Sequence, residues 1–95
     1  MSLYPYIVMN QEGLSQLKES IIFLVRITSD THKLAAFLQP HLQRIDNPHL
    51  HHFHSCLQHK TQGFYVFSTV INQIAIDCVT NVALRELMEQ FTSTF

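Results

Sequence analysis

A chain of 95 residues has room for one domain, close to the lower size at which a single core suffices. Hydrophobic residues make up 46% and charged ones only 14%, a thin polar complement that leads us to expect some apolar surface to be covered by another chain. The net charge of −1, with Lys18, Arg26, Lys33, Arg44, Lys60 and Arg85 scattered singly, excludes a phosphate-tracking basic stripe, and no apolar run approaches the ~20 residues of a membrane span, so neither nucleic acid nor a membrane is an expected partner.

Residues 1–9 contain Tyr4-Pro5-Tyr6-Ile7-Val8-Met9, and Pro5 pushes Tyr4 away from helical geometry, which predicts an extended N-terminal arm. Asn10 then reads as a helix cap, with Glu12 in the first turn favouring the helix dipole. Leu14, Leu17, Ile21, Leu24 and Thr28 repeat at helical spacing and predict a helix over 11–28. Ile22, Phe23 and Ile27 fall on other faces, so the second half of that helix is apolar nearly all round and belongs at a bundle centre or an interface.

Thr28-Ser29-Asp30 supplies the next start signal, and Leu34, Phe37, Leu38, Leu42 and Ile45 carry a stripe over 31–45. Pro40 lacks a backbone N–H and predicts a kink or a short break near Gln39. Asn47 as cap and Pro48 at the first position open a third helix, 48–61, that stops before Gly63. Phe64 to Phe95 is rich in β-branched and aromatic residues, yet Phe64, Phe67, Val70, Ile71, Ile74, Ala75, Cys78 and Val82 share one helical face. The stripe then changes sides to Leu84, Leu87, Met88 and Phe91. Either the helix breaks near Thr80-Asn81 and folds back, or it runs on over 64–92 and offers a second face to a partner. The lack of glycine or proline at the junction favours the continuous helix, which would be about 43 Å long. These elements predict an all-α fold, a small bundle of four to five helices with the extended arm.

Five of the seven histidines lie between Pro48 and Lys60. On a helix, Leu50, Phe53 and Leu57 face the core, while His49, His52, Cys56 and His59 line up beside them one turn apart. Such a set suits Zn²⁺, Ni²⁺ or Cu, with a fourth ligand from His41, His32 or a symmetry-related copy, and haem ligation by one of these histidines is a variant of the same reading. His51 and His54 fall on the opposite flank. No carboxylate lies within the segment to orient an imidazole; Asp46 is nearest in sequence, and Asp77 approaches only through the fold. Packed or solvated histidines without a ligand are one competing reading, and a pH-responsive surface is the other.

Cys56 and Cys78 are too far apart for a CxxC device and read as free buried thiols. No basic residue precedes Lys18 in a signal-peptide layout, so a cytoplasmic protein is expected. No phosphate-binding glycine loop, nucleophile elbow or carboxylate pair is present, and an enzyme is not expected. The leading reading is a homodimeric protein–protein interaction module, an adaptor, chaperone-like partner or small regulator, that contacts itself and another protein through Ile22, Ile27, Leu84, Leu87, Met88 and Phe91. A metal- or haem-binding sensor built on His49, His52, Cys56 and His59 is the alternative.

Overall fold

The computed structural model describes residues 11–59 and 64–95. The extended arm over 1–9, the Asn10 cap and the stop at Gly63 lie outside those residues. Five α-helices follow in order: α1 (Gln11–Ile27), α2 (Thr31–Leu38), α3 (Pro48–His59), α4 (Phe64–Asp77) and α5 (Val82–Thr94), with a 3₁₀ turn at Gln39–His41. The described residues contain no strand, and the fold is a small all-α bundle.

Side-chain caps set the helix boundaries. Asp30 Oδ1 accepts the Lys33 N–H at 3.3 Å and starts α2. Pro40, with no N–H to donate, ends α2 at Leu38, and the 3₁₀ turn carries the chain on until the Ile45 N–H reaches the His41 carbonyl at 2.9 Å. The stripe predicted over 31–45 is therefore two elements, although Leu34, Leu38 and Ile45 all reach the core. Asn47 Oδ1 accepts the Leu50 N–H at 2.9 Å and opens α3, with Pro48 at its first position.

A continuous last helix is the expectation that the structure overturns. After Asp77 the chain makes a turn, in which Thr80 and Asn81 both donate to the Asp77 carbonyl. Asn81 is extended, with φ −118° and ψ 97°, and its Oδ1 accepts the Leu84 N–H at 3.0 Å, so a new helix begins. The Cys78 carbonyl, released from helical pairing by the break, accepts from Arg85 Nε at 3.2 Å. A single asparagine cap thus replaces the missing glycine or proline. Val82, placed by periodicity on the α4 core face, lies past the break and is 53% exposed.

Folding back changes what α5 does. Leu84, Leu87, Met88 and Phe91, expected at an interface with a partner, are buried in the chain's own core. Phe91 stands at the centre of an aromatic group: its ring lies 5.9 Å from both Phe37 and Phe53 and 6.0 Å from Phe95. Phe53 in turn meets Phe67 edge-on at 6.2 Å. α1 packs on α4 and α5, α3 on α4, and α2 on α3. No described helix is long and apolar enough to cross a membrane.

Candidate functional site

α3 carries the histidines, and its pairing with α2 and α4 decides what each of them can do. The structure does not bring the side chains of His49, His52, Cys56 and His59 together on one exposed face. Cys56 lies on the core side of α3, where burial raises its thiol pKa, while His52 and His59 project into solvent. His49 is engaged elsewhere: its Nδ1–H donates to Asp77 Oδ2 at 2.7 Å. Among the described residues no group of three or more His, Cys, Asp or Glu side chains gathers closely enough to hold a metal ion. One turn along a helix brings Cβ atoms near each other, but here the core stripe passes between the groups and turns the thiol inward.

The fold does supply the carboxylate that the segment lacks. Asp77, at the end of α4, accepts from His49 and, at 3.0 Å, from Asn47 Nδ2. Burial works against ionisation of this carboxyl; the bonds from His49 and Asn47 and the nearby His49 charge outweigh it, holding the pKa below the ordinary value. Asn47 thus caps α3 with one side-chain atom and ties it to α4 with the other. That arrangement clamps two helices, and it explains why His49 sits at the start of α3.

The remaining histidines separate by environment. His41 Nδ1 accepts from Arg44 Nη2 at 2.8 Å on the surface. His51 Nε2 donates to the Leu42 carbonyl at 3.1 Å and lies 4.0 Å from the exposed Asp46 carboxylate. His54 differs from all of these. It is only 6% exposed, its ring bonds to the Ala35 backbone of α2, and its Nε2 is buried without a partner. Burial, with His51 adding to it, pulls its pKa below the ordinary imidazole value, against the opposing effect of the Ala35 bond.

His54 also lines a groove of about 410 Å³ between α2 and α3. α2 contributes His32, Ala35 and Ala36, the 3₁₀ turn Gln39 and Pro40, and α3 His54 and Gln58. By helical spacing alone, His54 pairs with His51, on the flank away from His52 and His59. Its signal is its position four residues after Leu50 and three before Leu57, at the edge of the buried stripe, where an imidazole is forced inward.

The other thiol is as closed as the first. Cys78 is buried at the end of α4, and both cysteines are free. Its pKa is pushed up to about 12, first by burial and further by Asp77 and Glu89, with Arg85 pulling the other way. The exposed apolar residues lie elsewhere. Phe23 and Ile27, one turn apart on the outer face of α1, are 62% and 58% exposed, whereas Ile22 beside them packs partly on the core. Of the six residues expected at an interface, Ile27 alone is prominently exposed, and Phe23 joins it. No family model matches this chain, and no curated protein or solved structure does either.

Proposed function

We propose that this chain is a protein-interaction module without chemistry of its own, working in the cytoplasm as a homodimer that pairs through the outer face of α1. The observation that carries the reading is the exposure of Phe23 and Ile27, large apolar side chains on an otherwise polar helix face. Exposed large hydrophobic groups clustered this way mark contact surfaces, and burying such side chains contributes about 1.5–3 kcal/mol each. A second copy is the partner that the charges favour. Glu19, one turn before Phe23, and Arg26, just after it, face each other across a two-fold axis when two α1 helices pair antiparallel. The absence of chemistry is supported by the closed thiols and by the use of the His49–Asp77 pair as a helix clamp. Free thiols are in keeping with a reducing compartment.

Sedimentation equilibrium of the full chain at micromolar concentration tests the proposal. Wild-type protein is expected at twice its chain mass of 11.0 kDa, and the Phe23→Asp/Ile27→Asp variant at that mass with unchanged helicity. A wild-type monomer at 100-fold higher concentration, or a variant that still dimerises, overturns it.

A further inference from the structure

We infer that the seam between α2 and α3 is an acid-operated latch: neutral His54 holds α2 against α3, and a proton taken up by its ring frees α2 while α3 stays fixed to α4. The latch lies apart from the α1 pairing face and does not depend on the dimer.

The first observation is the place of His54 in the seam. It is 6% exposed, and its ring bonds to the Ala35 backbone of α2. A backbone carbonyl takes the ring N–H of a neutral imidazole, which leaves the other nitrogen as the one able to accept a proton. That nitrogen, Nε2, is sealed from solvent. Protonation therefore requires the seam to open, and the charged ring then resists reclosure, because burial disfavours the ion.

The second observation is the charge around the seam. From α2 the titratable group at the groove is His32, and from α3 itself His51 opposes a charge on His54. Gln39, Pro40 and Gln58 complete the wall, so none of the lining residues is a carboxylate that could offset an imidazolium. Lys33 of α2 is exposed, and Asp46, 4.0 Å from His51, is almost wholly in solvent. The ring of Phe37 ties α2 to Phe91 and Phe95, a contact without a titratable group. On the other side of α3, α4 brings Asp77, which is bound to His49 and Asn47 at the start of the helix.

The two sides of α3 thus differ in their tolerance of acid. The clamp to α4 rests on a carboxyl that titrates below 3.8, whereas an imidazole gains charge near pH 6.5. Burial first, and His51 second, pull His54 below 6.5 against the Ala35 bond. With the folded value depressed, the closed seam keeps its full stability above pH 6.5 and loses it as pH falls from there through the folded value. α2 is also the easier helix to release. Its eight residues are too few to persist alone in water, and Pro40 prevents it from extending.

Amide hydrogen exchange of the full chain, followed by NMR from about pH 7.5 to 5 and corrected for the pH dependence of intrinsic exchange, tests the latch. Opening constants at Ala35, Phe37 and Leu38 are expected to rise several-fold below pH 6.5, with a limit of about tenfold per pH unit for one proton. Those at Val70, Ile71 and Ile74 of α4 are expected to stay constant. His54→Gln, polar but unable to take a charge, should abolish the rise, and His52→Gln/His59→Gln, at exposed positions, should keep it. α2 amides that ignore pH, an equal rise in α2 and α4, or a rise that survives in His54→Gln overturns the inference. If that variant does not fold, the His54 Cε1–H resonance of the wild type decides: it must titrate below pH 6.5 together with the α2 opening, and titration at or above 6.5 refutes the latch.

Discussion

Replacing Phe91 with alanine probes the folded-back α5 helix directly. The ring is fully buried and meets Phe37, Phe53 and Phe95 at centroid distances of 5.9, 5.9 and 6.0 Å. Truncating a buried phenylalanine costs about 3–5 kcal/mol, from lost transfer energy and the cavity left behind. The three ring contacts, at about 0.5–1.5 kcal/mol each beyond area burial, place this site towards the upper end. Small domains have only about 5–15 kcal/mol of total stability, so the variant is expected to lose a large part of it. The assay is urea unfolding followed by far-ultraviolet circular dichroism, carried out in the Phe23→Asp/Ile27→Asp background so that association does not enter. A loss of about 3 kcal/mol or more is expected, with an unchanged denaturant slope. A loss below about 1 kcal/mol would mean that Phe91 is not core, and the helix break at Asn81 would fall with it.

Three further outcomes follow from the same geometry. Asn81→Ala removes the cap of α5 and is expected to cost about 1 kcal/mol in urea unfolding, with no change in the dimer; an undiminished stability contradicts the cap. The Asp77 carboxyl titrates below its usual value of 3.8 in the folded chain, so its contribution is complete above that pH and is lost as pH falls through the lower folded value. Acid titration of stability should therefore be steeper below pH 3.8 in wild type than in Asp77→Asn, and parallel curves would refute the clamp to His49 and Asn47. Ellman's reagent at pH 8 should label Cys56 and Cys78 only slowly in the native protein and fast in urea; prompt labelling of either places that thiol outside the core.

Capping chemistry was the most legible part of the sequence. Asp30, Asn47 and Pro40 each act locally, through atoms within a few residues: the helix starts that Asp30 and Asn47 predict are present, and Pro40, read as a kink or short break within 31–45, ends α2 at Leu38. The break between α4 and α5 also left a local signal, the change of side in the apolar stripe together with Asn81 three residues before Leu84. The lack of glycine or proline at the turn argues against that signal, but an asparagine cap needs neither. Periodicity says that Leu84, Leu87, Met88 and Phe91 want burial; it is silent on which chain buries them, and here their own chain does. The pairing of His49 with Asp77 spans 28 residues, and that of His54 with Ala35 crosses from α3 to α2, so neither exists until the helices pack. Phe23 was visible as an apolar residue off the stripe, but its exposure depends on α4 and α5 having already taken the inner face of α1.

The division of the apolar surface into an inner core that includes α5 and an outer pairing face on α1 is open to one direct measurement. In a dimer mixed from ¹³C-labelled and unlabelled chains, isotope-filtered NOE spectra separate contacts between copies from contacts within one. Contacts between copies are expected from the Phe23 ring and the Ile27 methyls, with Leu84, Leu87, Met88 and Phe91 showing contacts within one chain alone. Cross-chain contacts from the α5 residues, with none from α1, would contradict the account.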